Sequence, residues 1–432
     1  MNIEKNTRIA DTMRETYERR KSQTCRVFEL KVKKHMLNKQ QKETLKMMFI
    51  EAKWCYNYIL NLMVDESFDI FKFKGKQLSE ISHKDKDMND VPVTLSHITS
   101  SLKDSLVSRI CSQIKTLSTL KKKGKEVGKL KFKSEYTSIN FKQYGLTHKI
   151  VSKNRIKMQG IKKPLPVSGL SQPDKYGTDY EIANAILRKR GGDYYVNLTV
   201  YYNETENKGN SYKNSIMGID FGCETALTFS DGTKMDCLVE ETEKLKNLQR
   251  KRSKTTKFSN NYRRLSEKIK KEYDRIGNLK DEAANKIVHK ILSDNEHVVM
   301  QDEQINSWKR KHGKKVQHSI LGRVKERLVR HNGQVSVMNR FVPTTKFCNE
   351  CGTIHSEIQL WDRSFVCPEC GSTHDRDVHA AANMVWLYEN MKENIGLDGS
   401  EFKRAEFDEE VQRIFSGWSN RTLKHEDASS LG

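Results

Sequence analysis

Hydrophobic spacing changes period several times along the chain, and each change marks an element. "CRVFELKVKK" (25–34) alternates apolar and basic residues, the signature of a half-buried strand. Between 40 and 63 the apolar positions recur at helical spacing, and a second helix is expected over 98–120. The link between them, "GKQLSEISHKDKDMNDVP", reads as a loop. Strands joined by turns are expected over 129–165, and "DYYVNLTVYY" (193–202) and "SIMGIDFG" (215–222) are further strands. The Asp231-Gly232 pair marks a tight hairpin. Residues 240–293 lose the strand pattern and read as two long basic amphipathic helices. A short apolar strand, "HVVM" (297–300), is followed by a helix over 316–329. After "GQVSVMNR" comes a helix over 378–393, striped by Ala381, Met384, Val385 and Tyr388.

Length and charge narrow the class. At 432 residues the chain exceeds the usual single domain, so two or three are expected. Lys and Arg number 78 against 56 acids, a formal net charge of +22 that repels itself unless a polyanion offsets it. No run approaches the roughly 18 apolar residues that span a bilayer. The opening "MNIEKNTRIADTMRETYERRKSQT" has no signal-peptide core, so a cytoplasmic location is expected. Residues 121–163 carry 14 Lys/Arg against two Glu, interleaved with Phe132, Tyr136, Phe141 and Tyr144. Phosphate attraction and base stacking would use that mixture, although each aromatic taken singly reads as core.

Four of the nine cysteines are patterned: Cys348, Cys351, Cys367 and Cys370 form C-x2-C-x15-C-x2-C, a spacing that signals zinc. Gly352 and Gly371 close the two knuckles and ease the turn around a metal. Four thiolates saturate tetrahedral Zn2+, so the ion is expected to be structural. The nearby His355, His374 and His379 read as surface or supporting residues. The remaining cysteines are scattered, which argues against a disulfide framework.

Three acids stand where strands end or a helix begins: Asp220 in "IMGIDFG", Glu303 in "VVMQDEQ", and Asp377 before "VHAAANMVWLYENM". Phosphodiester hydrolysis uses two hard divalent cations about 4 Å apart, and Mg2+ takes oxygen ligands. Asp220 would bridge both ions, with Glu303 and Asp377 flanking. Asp302 and Asp375 are neighbouring alternatives. Arg376 reads equally as a phosphate contact or a solvated charge.

At these residues the chain resembles the transposon-associated TnpB family and its relatives, the miniature type V CRISPR effector nucleases. "GIDFG" is similar to their first RuvC motif and "QDEQ" to the glutamate motif. "CNECG…CPECG…DRDVHAAANM" resembles their zinc ribbon and third RuvC motif. The family usually has asparagine two residues after the last aspartate; here it is His379. The likeness is specific over 190–393 and looser over 25–189.

The resemblance implies a multidomain α+β fold. A wedge-like β-barrel (24–38 and 121–205) would carry a helical recognition insert (39–120). An RNase H-like RuvC core (211–340 and 372–393) would carry a zinc ribbon (341–371). Residues 1–23 would form a flexible arm, and 394–432 a partly disordered tail. It further implies an RNA-guided endonuclease that cuts target DNA with Mg2+ at Asp220, Glu303 and Asp377. Such an enzyme binds guide RNA, target double-stranded DNA with a short adjacent motif, and the RNA–DNA heteroduplex. It works as monomer or homodimer on one guide RNA and is nucleoid-associated when acting. The rivals are a guide-independent transposon-associated or structure-specific nuclease, and an RNA-guided DNA-binding protein that does not cut.

Overall fold

Alternating apolar residues build the first part of the chain around one sheet. The computed structural model describes residues 2–84, 89–203, 212–331, 333–355 and 362–426. The chain divides into two units, Met1–Asn207 and Lys208–Gly432.

In the first unit, helix α1 (Asn2–Lys21) precedes β1 (Gln23–Val32) and helix α2 (Lys39–Leu62). A hairpin, β2 (Glu80–Lys84) and β3 (Asp90–Thr94), leads to helix α3 (Ser100–Lys122). Six strands follow: β4 (Ser138–Phe141), β5 (His148–Ser152), β6 (Arg155–Met158), β7 (Leu165–Ser168), β8 (Tyr180–Arg190) and β9 (Asp193–Asn203). The barrel-like sheet runs β4-β8-β9-β1-β7-β6-β5, antiparallel throughout. Along β9, Tyr194, Val196, Leu198, Val200 and Tyr202 are buried at every second position. These side chains join Leu45, Met48 and Ile59 of α2 and Leu102, Leu106 and Ile110 of α3 in one core. Helix α2 opens with a capping box between Asn38 and Gln41. From its middle, the buried Glu51 carboxylate accepts the His97 and Ile98 amides at 2.9 and 3.0 Å, anchoring the lead-in to α3. Of the four aromatics in the basic region, Tyr136 and Phe141 are buried, whereas Phe132 and Tyr144 are exposed.

Two stretches differ from expectation. The N-terminal arm is helical through Lys21 and is tied by polar contacts: Arg19 and Arg20 pair with Glu181, and the Arg20 guanidinium covers Tyr201. Such contacts leave no apolar stripe to read. The stretch taken as a loop contains the β2–β3 hairpin, in which Ile81 is the buried member of a strand otherwise made of polar residues.

In the second unit, β10 (Asn214–Phe221) continues into β11 (Leu227–Phe229) and β12 (Lys234–Met235). Helices α4 (Glu243–Ser253) and α5 (Asn260–Asp294) lead to β13 (Asn295–Gln301). Helices α6 (Lys309–His318) and α7 (Leu321–Leu328) lead to β14 (Val335–Met338). The hairpin β15 (Ser364–Val366) and β16 (Thr373–Asp375) precedes α8 (Arg376–Asn390), and α9 (Arg404–Glu426) is last. The sheet order is β12-β11-β10-β13-β14. Its first strand is thus central, with an antiparallel hairpin on one side and two parallel strands on the other. This is the RNase H-like arrangement.

Helix α8 lies against β10 at very close range. A Cβ on Gly218 would sit 1.9 Å from the Ala381 carbonyl oxygen, so only glycine permits this approach. The buried Ala380 and Ala381 supply the matching small surface on the helix. The tail is more ordered than its charges suggested. Phe407 and Val411 of α9, four residues apart, pack with Phe347, Met384 and Leu387 in one core. The acids around them, Glu406, Asp408, Glu409 and Glu410, masked that helical stripe. Among the described residues, no helix is long and apolar enough to cross a membrane.

Candidate active site and metal clip

Strand geometry aims Asp220 at α8. It lies two residues after Gly218 on β10, hence on the face that α8 covers. Asp220 keeps part of its surface open, but protein atoms crowd its carboxyl. Burial pushes that carboxyl up to about 7, and the charges of Asp377 and Glu303 push the same way; Arg376 opposes them. Asp220 thus lies close enough to the other two acids picked out in the sequence to feel both charges, one just beyond a strand and one at the start of a helix. Glu303 follows the end of β13, and burial raises its carboxyl too, with Lys325 and Arg340 opposing.

Asp377 is the second residue of α8, where the helix N-terminus favours negative charge. Arg376 pairs with it at 3.0 Å and Arg363 at 3.5 Å. Asp375 has a different task. It caps α8 by accepting the Asp377 and Val378 amides, both at 3.1 Å, and pairs with Lys234 at 2.7 Å. Asp302 is held by Lys325 at 2.6 Å and Arg340 at 3.3 Å. Both sequence alternatives are thus engaged by cations of the protein itself.

The thiols of Cys348, Cys351, Cys367 and Cys370 all lie within 4.8 Å of one another. Cys348 and Cys370 are 3.8 Å apart, and Cys351 and Cys367 3.6 Å. Tetrahedral zinc with Zn–S of about 2.3 Å requires sulfur spacings of about 3.8 Å, so the donor set fits that ion. Gly352 and Gly371 turn the knuckles with φ of +77° and +75°. Among the described residues no carboxylate group is gathered this tightly.

Sequence reading missed how the clip is tied to the acids. The carbonyl of Phe347, the residue before Cys348, lies 2.9 Å from His379 Nε2 and accepts Asn383 Nδ2 at 2.6 Å. Asn383 also donates to the Thr344 carbonyl at 2.7 Å. Helix α8 thus carries Asp377 at its start and grips the clip one turn later. His379 is buried and not a surface residue; burial, helped by His374, pushes its imidazole down to about 4. The available signal was the four-residue spacing of His379 and Asn383, which puts both on one helix face. Gln301 was also missed. It donates to the Asn339 and Val342 carbonyls at 3.1 and 2.7 Å and accepts from Thr344 at 2.9 Å, fixing the chain beside Glu303.

A family model described as "Probable transposase" matches residues 199–311, and one described as "Cas12f1-like, TNB domain" matches 318–384. The two together take in all three acids and all four cysteines. Over these stretches the chain resembles the TnpB and miniature type V effector proteins. A Streptomyces pristinaespiralis protein named "Putative RNA-guided DNA endonuclease" is 26% identical over 46% of this chain and 51% of its own. "Putative RNA-guided DNA endonuclease InsQ" of Escherichia coli K12 is 25% identical over 40% and 48%. The chain spans about half the length of these curated relatives. A chain in the cryo-EM structure of the Cas12f1–sgRNA–target DNA complex superposes at TM-score 0.46 with 14% identity, over 84% of this chain and 99% of that one.

Proposed function

We propose that the protein is an RNA-guided, Mg2+-dependent DNA endonuclease that recognises a short DNA motif beside its target and cleaves at Asp220, Glu303 and Asp377. The observation that carries this reading is the crowding of Asp220 by the other two acids, which arrive from positions 83 and 157 residues further along the chain. A protein that needed only a stable core would not bury Asp220 where two further acids disfavour its charge. Magnesium held there would supply an activated water and stabilise the departing oxygen of the phosphodiester. Asp220 on the central strand, with Glu303 and Asp377, would hold the ions. Arg363 and Arg376, which pair with Asp377, would serve there as donors for phosphate oxygens.

The names of the curated relatives and the +22 charge support the guided reading. Base pairing would then select the target, while the protein reads backbone shape and the adjacent motif. Zn2+ in the four-thiolate clip would be structural, because such a site leaves no position for water.

The test is expression beside the native flanking DNA, followed by sequencing of copurified RNA and a cleavage assay with Mg2+. We expect one dominant structured RNA and target cutting that Asp220→Ala abolishes while guide-dependent DNA binding survives. Cutting retained by Asp220→Ala would reject the carboxylate assignment. Cutting without any enriched RNA would favour the guide-independent nuclease. Separately, Cys348→Ser and Cys370→Ser are each expected to lower zinc content and destabilise the second unit; unchanged zinc would reject the clip.

A further inference from the structure

The loop after β14 exposes a large aromatic ring on a backbone that is firmly held. Phe341 is 71% exposed, whereas its neighbour Val342 is 3% exposed and belongs to the core shared by α8 and α9. The Phe341 amide donates to Asn339 Oδ1 at 3.1 Å, the Asn339 amide to Ile395 O at 3.1 Å, and the Val342 amide to Asn339 O at 3.2 Å. Gln301 holds the same two carbonyls, those of Asn339 and Val342, from the end of β13. The ring is therefore presented by a held loop, hydrogen-bonded to Gln301 at the end of β13, two residues before Glu303.

Arg340 supplies a cation beside the ring and ties it to the segment that carries Glu303. The Arg340 guanidinium lies 5.9 Å from the Phe341 ring centre and pairs with Asp302 at 3.3 Å. The same arginine acts electrostatically on Glu303. Lys325 donates to the Glu303 carbonyl at 2.7 Å. One apolar ring set among charges is too small to dock a protein surface. It has the size, shape and electrostatic setting of a platform for one nucleobase, with a phosphate drawn to the cations beside it.

We infer that Phe341 stacks on a base of single-stranded DNA next to the scissile phosphate, with Arg340 steering the backbone, so that the loop positions the strand at the carboxylates. This inference rests on the nuclease reading above. Arg340 would exchange its Asp302 partner for phosphate as the strand enters, and Phe341 would cover the base. The ring touches substrate and takes no part in proton transfer.

The test uses the full chain with its guide. In an Asp220→Asn background, which holds the strand uncut, 2-aminopurine is placed in turn at positions around the cut. Stacking quenches its fluorescence. We expect quenching at one or two adjacent positions, loss of it with Phe341→Ala, and retention with Phe341→Trp. In the cleaving protein, Phe341→Ala is expected to raise KM for single-stranded DNA roughly tenfold, with a smaller effect on kcat. Unchanged quenching and KM in Phe341→Ala would overturn the stacking role, as would full rescue by Phe341→Leu, since leucine fills space without a π face. Either result leaves the carboxylate assignment standing. Absence of cleavage by the unmodified protein would instead overturn the nuclease reading, and this inference with it.

Discussion

At Asp220, burial and two neighbouring acids act in the same direction, lifting the carboxyl to about 7. An unfolded aspartate titrates at about 3.9. Between about pH 4 and 7 the folded protein therefore keeps a proton that the unfolded chain has released, and stability without divalent cations falls as pH rises through that window. Above about pH 7 the full penalty is present. Asp220→Asn removes it. Thermal melts in chelator at pH 8 should show the variant more stable by about 2 kcal/mol, a figure reduced for partial solvent access, with the gap closing near pH 4. A gap independent of pH would rule out this account. The acids themselves were legible in the sequence because each stands where an apolar run stops or a helix starts. His379 was not: a lone histidine on a helix looks the same in sequence whether it faces water or the Phe347 carbonyl.

Between elements, the contact that sets the geometry of the proposed site is β10 against α8, and it depends on an atom that is absent. Gly218→Ala would drive a methyl group into the Ala381 carbonyl, a backbone atom that no rotamer change can move. We expect a loss of about 3 kcal/mol in stability, and cleavage to fall further than melting alone predicts, because the start of α8 would move away from Asp220. Comparing activity at a temperature where the variant remains folded tests this; normal activity there would show that α8 tolerates displacement. The pattern "GIDFG" hinted at such crowding, since glycine inside a strand marks a close approach. Helix α9 shows the opposite case. Phe407 and Val411 are plainly spaced for a helix face, yet the surrounding acids point in sequence to a partly disordered tail. Sequence exposes an element most readily when its polar residues follow the same period as its apolar ones. Where charge runs continuously, as in α1 and α9, that contrast disappears.

For the molecule as a whole, the formal charge of +22 predicts that nucleic-acid affinity is dominated by counterion release. Plotting log affinity for guide RNA or DNA against log salt concentration should give a slope of about −4 or steeper; a flat line would remove the polyanion argument. Composition alone carried that much, and the RNase H-like core of the second unit was expected from the family resemblance. What composition and period could not supply was the coupling between distant segments, such as α8 holding the chain at Phe347 just ahead of Cys348. That grip has a temporal meaning. Asp377, the last of the three acids in chain order, emerges during synthesis after both knuckles, and its helix seats against the segment that leads into the clip. A growing chain would thus hold Asp220 and Glu303 without their third companion. On this assignment the three-acid set would be completed only after both knuckles have been made.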